Sequence, residues 1–481
     1  MVNSLSRYFE YRDDIKTILF SAGKESKFEL LYSAMETLKK VERIFIVSES
    51  AEDLLKIKSG LQDLYGHNSK APQIEWYADQ NVKNKSFRTE DIDAVILDAN
   101  IDAETIRSMA ALQPKYLTGR IEKNSELTFA IWEQYREISE HIHLECTVAD
   151  DKIDILNWDK DSNSSVELSV IFPVYNVAKY LKQCIESVTA WKAPYVEFLF
   201  VNDGSPDESR DIILQYAKQD PRIKLIDKKN GGCASARQKG LQEAQGRYIG
   251  FVDPDDYTDE TMFKKLFSRA MIGSYDVCYC GYNCFYENSG VVEKIDDTLD
   301  ERYSRGTTDE NLIHRLIMYL RVAIWRGVYR ADFLRKNDIN FQVNLRRFDD
   351  LPFKIEVFAL AKSVIAVPEY LYYYRLERPG QDVACDDERL YVHFDIFKYL
   401  NDRIGATRNQ KLLDYLQLSK VQTHCFATRK IQRVFVKPYS KMARADFLTN
   451  NMGVLRTVLL IIKYFGKANL KTYLKIMYNL M

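Results

Sequence analysis

Between Leu168 and Asp256 the chain runs through one pattern four times: a short apolar stretch that ends in a polar motif. The stretches are Leu168–Phe172, Val196–Val201, Ile223–Ile226 and Tyr248–Val252. The motifs are Pro173-Val-Tyr-Asn176, Asn202-Asp-Gly-Ser205, Asn230-Gly-Gly-x4-Arg237 and Asp253-Pro-Asp-Asp256. Helical-period segments separate them, with apolar positions at 177, 181, 184, 185 and 188 in the first and further helices expected over 207–218 and 234–245. Strand and helix in alternation predict a parallel α/β sheet. Polar residues gathered at strand carboxyl ends fall where open α/β sheets bind ligands. Singly the motifs are ordinary turn chemistry; their order and spacing give them weight.

These four motifs resemble those of the family-2 glycosyltransferases of GT-A (nucleotide-diphospho-sugar transferase) fold. The segments are SVIFPVYN, VEFLFVNDGSPDES and NGGCASARQKGLQEAQGRYIGFVDPDD, with a weaker continuation through Ile324–Tyr329, Arg347–Asp350 and Leu371–Arg375. The resemblance implies an inverting, hexosyltransferase-type enzyme acting on a nucleotide-sugar donor, a UDP-sugar first, and a glycan or lipid-linked glycan acceptor. It places Pro173, Tyr175, Asp203, Asn230, Arg237 and Asp253 on the donor side. Asp203 is expected to accept the imide proton of a uracil, and Pro173 to fix the loop beneath the base. Arg237 is expected as a cation beside base and phosphates. Asp253 and Asp255 form the D-x-D pair for Mn²⁺ or Mg²⁺, whose preference for hard oxygens suits carboxylates.

The resemblance also implies an acidic pair before a helix, met here by Asp349-Asp350 ahead of Leu-Pro-Phe-Lys-Ile-Glu-Val-Phe. Asp350 is expected as general base and Asp349 as an acceptor contact. Two acids before a helix with Pro352 in its first turn are equally good cap chemistry. Several similar enzymes carry a histidine after the tyrosine run to complete the metal shell. Here Leu371-Tyr-Tyr-Tyr-Arg375-Leu-Glu-Arg378 offers none, which leaves Arg375 and Arg378 for the diphosphate and Asp382 for the metal. A non-catalytic sugar-nucleotide scaffold is disfavoured by the intact acids. A sugar nucleotidyltransferase would want a Gly-rich loop where Pro173–Ala178 stands.

At 481 residues more than one domain is expected. Residues 1–147 alternate apolar runs and helical segments, a Rossmann-like α/β rhythm whose first loop, Ser21-Ala-Gly-Lys24, has too few glycines for a phosphate cradle. The polar stretch 148–166 is expected as a linker, 167–390 as the transferase domain, and 391–481 as a helical, basic region. The formal net charge of −1 offers no global field for nucleic acid. The start shows no secretory n-region and apolar h-region, and the eight spread cysteines suggest a reducing cytoplasm. Cys278, Cys280 and Cys284 are expected on one strand rather than around zinc. Six histidines share no spacing and are assigned no role. From Phe426 onward eleven Lys or Arg face one acid. Lys463, Lys467, Lys471 and Lys475, one helical turn apart, suggest a helix over 452–481 lying on an anionic membrane surface, or a packed helix with solvated lysines. The sequence sets no oligomeric state.

Overall fold

The computed structural model describes residues 166–478 apart from 298–299, 346, 379–384, 450–452 and 466; of 1–165 it describes the strands, one helix and short flanking pieces. The chain divides into two compact units, Met1–Asn163 with Met271–Ser274, and Ser164–Ala270 with Tyr275–Met481.

In the first unit, strands β1 (Thr17–Ala22), β2 (Arg43–Ser48), β3 (Gln73–Ala78), β4 (Ala94–Asp98), β5 (Tyr116–Ile121), β6 (His141–Thr147) and β7 (Ile153–Asp159) form one sheet in the order 3-2-1-4-5-6-7. All neighbours are parallel except β6 and β7. Helix α1 (Ser125–Tyr135) lies between β5 and β6 in sequence and buries Trp132 and Tyr135. The stretch expected as a linker therefore contains an edge strand. Leu156 and Trp158 are buried in it, and apolar residues alternating at a two-residue period outweigh its polar composition.

The second unit opens with β8 (Leu168–Val174), α2 (Ala178–Val188), β9 (Val196–Asn202), α3 (Ser209–Ala217), β10 (Ile223–Asp227), α4 (Cys233–Glu243) and β11 (Tyr248–Phe251). Every residue of β8 and β9 is buried, as expected of parallel strands covered on both faces. Two later long strands and three short ones complete a nine-stranded sheet: β12 (Tyr257–Thr258), β13 (Val277–Tyr286), β14 (Val292–Ile295), β15 (Gly327–Arg330) and β16 (Val364–Leu376). The order is 10-9-8-11-15-13-16-12, with β14 on β13. The chain moves outward from β8 to β10 and then returns to place β11 on the other side of β8. That reversal opens a crevice between the carboxyl ends of β8 and β11, the ends that carry Pro173–Asn176 and Asp253–Asp256.

Cys278, Cys280 and Cys284 lie buried on β13, and none of the eight cysteines forms a disulfide. Besides the helices Met262–Ile272, Glu301–Ser304 and Ala331–Lys336, the later helices are α5 (Glu310–Tyr319), α6 (Asp350–Leu360), α7 (Val392–Ile404), α8 (Gln410–Lys430), α9 (Arg433–Phe447), α10 (Val454–Tyr464) and α11 (Lys467–Met477). Position 390 is not a boundary of packing: one core runs from Ile171 and Phe251 through α5 and α6 to Ile461 and Ile476. The lysine series is also not one stripe. The chain leaves helical geometry after Tyr464, so Lys463 is on α10 while Lys471 and Lys475 are on α11. Among the described residues no helix is long and apolar enough to cross a membrane.

Candidate active site

The loop after β8 is held by the loop after β9. The backbone N–H of Asn176 donates to Ser205 Oγ (3.3 Å), that of Val177 to Ser209 Oγ (3.3 Å) and that of Ala178 to Asp207 Oδ2 (2.9 Å). The first turn of α2 is thus satisfied from another loop, since its own cap residue, Val177, has no side-chain acceptor. Asn176 sits at φ +54°, a strained setting for a residue other than glycine. Pro173 is buried opposite Val201, while Tyr175 is half exposed.

Asp203 is buried at the end of β9. Its carboxylate accepts from Gly231 N–H (3.0 Å), Gly232 N–H (2.7 Å) and Lys228 Nζ (2.5 Å). Gly232, at φ +86°, begins α4 and turns its amide toward that carboxylate. Gly204 has φ +69° and lies so near that a Cβ there would stand 3.3 Å from Asn230 N. Asn230 itself is exposed. Lys228 was not singled out by sequence: two lysines precede Asn230, and only the fold shows which one turns to Asp203.

The acidic cluster is divided by its partners. Asp256 is fully buried and accepts from Tyr372 Oη (2.7 Å) and Arg375 N–H (2.8 Å). Burial, then the charges of Asp255 and Asp253, push its carboxyl well above the usual range. Tyr372 Oη also accepts from Asp253 N–H (3.2 Å), which fixes the turn from both sides. Arg375 donates through Nε to Asp255 O (2.8 Å), through Nη2 to Gln183 (2.6 Å) and through Nη1 to Glu287, beneath the rings of Tyr180 and Phe285. Expected at the diphosphate, it is instead a buried tie that shapes the Asp255–Asp256 turn. Arg378 pairs with Asp255 Oδ2. Asp382 lies outside the described residues.

Arg237 joins the two acidic motifs. Its Nη2 meets Asp253 Oδ1 at 2.5 Å and its Nη1 meets Asp349 Oδ2 at 2.9 Å, with the guanidinium 5.9 Å from the Phe341 ring centre. These residues are 112 positions apart at the extremes. Asp349 occupies the cap position of α6 but makes no side-chain cap bond. Its carboxylate is committed to Arg237, so capping does not account for the pair. Phe348, just before it, has φ +54° and turns the chain into the site. Asp350 keeps a partly exposed edge yet lies deep enough that burial, then the Asp349 charge, push its carboxyl up to about 6 against the pull of Arg237.

Asp253 and Asp255 offer hard oxygens, and a cation, Arg378, already stands against Asp255. Among the described residues no group of three His, Cys, Asp or Glu is placed to hold a metal. Asp253 and Asp255 are the residues that would hold a divalent ion here, and such an ion would need further oxygen ligands from outside the protein, as Mg²⁺ commonly does.

The family model "Glycosyl transferase family 2" matches residues 169–330. A glycosyltransferase of Escherichia coli, YibD, described as uncharacterized, is 33% identical over 285 residues, covering 56% of this chain and 81% of YibD. The chain belongs to glycosyltransferase family 2. EpsJ of Bacillus subtilis, also described as an uncharacterized glycosyltransferase, is 35% identical over 219 residues, 44% of this chain; the chain spans 62% of EpsJ. In fold it is similar to S. aureus TarS 1–349 in complex with UDP-GlcNAc (TM-score 0.52, 19% identity, 66% of this chain and 91% of that one). In this family-2 glycosyltransferase of GT-A fold, Pro173–Asn176 and Asp253–Asp256 stand at the β8/β11 crevice, where the sheet's topology opens.

Proposed function

We propose that this glycosyltransferase moves a sugar, with inversion, from a UDP-sugar to a hydroxyl of a glycan or lipid-linked glycan. The observation that carries the reading is the Arg237 bridge between Asp253 and Asp349, with Asp350 beside it at a carboxyl pushed up to about 6. A base tuned toward neutrality is poised to take a proton. The UDP-GlcNAc complex of TarS supports the choice of uridine donor.

In this reading Asp203, with Lys228 and the Gly231–Gly232 amides, faces the base, Pro173 and Tyr175 line its loop, and Asn230 lies beside it. Asp350 removes the acceptor hydroxyl's proton as that oxygen attacks the anomeric carbon. The oxygen–carbon bond forms on one face while the bond to the diphosphate breaks on the other. Asp349, held by Arg237, orients the acceptor, and Asp253 faces the ribose. When bound, Mn²⁺ or Mg²⁺ on Asp255 and Asp253 supplies charge neutralisation to the departing nucleoside diphosphate. Arg378 supplies a further cation at the same carboxylate.

The test is donor hydrolysis and transfer across a panel of nucleotide sugars with Mn²⁺, beside Asp350→Asn. We expect turnover of a UDP-sugar and a loss of 10²–10⁴-fold in Asp350→Asn, roughly what a positioned base contributes. Full activity in Asp350→Asn would overturn the base assignment, and binding of no donor would overturn the reading as a whole.

A further inference from the structure

Helix α10 is apolar on two sides. Thr457 and Ile461 face the core. Leu455, Leu459 and Ile462, spaced by four and three residues, form a separate stripe that is 73%, 58% and 60% exposed. Lys463, exposed, and Arg456, exposed but held by Asp414 of α8 (3.0 and 2.9 Å), flank that stripe. An exposed apolar stripe of this kind marks an interaction surface rather than a solvated helix.

The helices on either side of it in sequence carry the same chemistry, and α11 packs on both α9 and α10. On α9, Tyr439, Ser440, Ala443 and Phe447 point inward, while Arg433, Lys437, Lys441 and Arg444 are exposed along the outer side with Val434, 73% exposed. On α11, Lys471 and Lys475 are exposed, and exposed Tyr478 follows. From Ile431 to Met481 there are nine Lys or Arg and one acid, Asp446. That acid is turned inward to Lys420 Nζ (2.9 Å) and His424 Nε2 (2.8 Å), so it does not offset the outer charge.

We propose that the outer face of α10, with the basic residues of α9 and α11, docks on an anionic lipid surface. Apolar side chains enter the headgroup boundary while lysine and arginine meet lipid phosphates. The short α10 has the length of a helix lying in the interface and not of one that spans it. Charge complementarity selects this occupant: besides Arg456, which Asp414 holds, the three helices expose seven Lys or Arg and turn their one acid inward, which suits a sheet of anions, and self-pairing would set like charges together. The inference does not rest on the transferase reading, because the face lies on helices that carry none of the donor or acidic motifs.

The test is co-sedimentation of the full chain with phosphatidylglycerol vesicles and with phosphatidylcholine vesicles at low and high salt. Binding to the anionic vesicles only, weakening as salt rises, is expected. Leu455→Ser/Leu459→Ser/Ile462→Ser should reduce partitioning at least about tenfold, and Lys437→Gln/Lys441→Gln by roughly fivefold per charge removed. Donor hydrolysis and the thermal midpoint, measured in parallel, should be unchanged in both variants. Equal binding to the two vesicle types, or undiminished binding by the triple variant, would overturn the proposal. So would a concentration-dependent dimer in solution that the triple variant abolishes, since a second copy would then be the occupant.

Discussion

Under the base assignment proposed above, Asp350 trades stability for chemistry. Its folded pKa, about 6, lies above the ordinary value of 3.8. Between roughly pH 4 and 6 the folded state therefore holds a proton that the unfolded state has released, and stability falls as pH rises through that window. As the proposed base, the group works only when ionised. Transfer should climb about tenfold per pH unit below 6 and level above it, and the Asp350→Asn profile should lack that limb. At pH 8 the same variant, which carries no charge into the recess, should melt higher, by about 1–3 kcal/mol, and the gain should shrink as pH drops from 6 toward 4. Equal melting of both proteins at pH 8 would show that Asp350 is ionised without cost. The acid itself was legible in the sequence. Its setting was not, because Arg237 and Asp349 are brought together by the fold from positions 112 apart. For the same reason Arg375 was misjudged: nothing in a row of letters shows that Glu287 and Gln183 will surround it.

At the scale of elements, legibility follows the range of the interactions. The expected helix over 177–188 and strands near 168, 196, 223 and 248 agree with α2 and with β8 to β11 within a few residues, since apolar periodicity is local. The 13-residue β16 is different. It pairs with β13 through a register break at Gly281, and that pairing decides which tyrosines point where. Tyr372 and Tyr374 stack on Trp325, while Tyr373 stacks on Tyr257. Tyr372 hydrogen-bonds to the acidic turn at Asp256 and Asp253. A close approach elsewhere is similarly hidden. Gly240, within α4, lies against β8 where a Cβ would come 2.4 Å from Ile171 Cγ2. Helix α4 carries Arg237 at its start, so its seating on β8 sets where the cation falls. Gly240→Val should therefore lift α4 from the sheet, lowering stability by about 1–3 kcal/mol from overpacking and donor turnover with it. Gly453, where an added Cβ would meet nothing, is the control: Gly453→Ala should leave both unchanged. If the two variants melt alike, the packing argument for Gly240 fails.

The molecule has two compact units, and the motifs proposed to bind the donor lie in the second. Each compact unit buries its own sheet, Ile18, Phe20 and Ile96 in the first and Ile171, Leu199 and Phe251 in the second. The core of the second unit is continuous from β8 to α11, so the helices beyond 390 should melt with the transferase sheet and not apart from it. A chain built in this way is not expected to unfold in one step. Calorimetry should resolve two transitions, and a nucleotide that binds the native crevice must stabilise the unit that holds it by mass action. At a hundredfold excess of UDP over its dissociation constant this amounts to about 2.7 kcal/mol. The shift should appear in the transition of residues 164–481 and leave the other in place. Asp203→Ala should remove the shift, because the base would lose its carboxylate and the Gly231 and Gly232 amides would lose their acceptor. A parallel rise of both transitions in UDP would mean that the units unfold as one cooperative body. No rise in either would remove uridine from the donor assignment while leaving the family membership, which rests on sequence, where it stands.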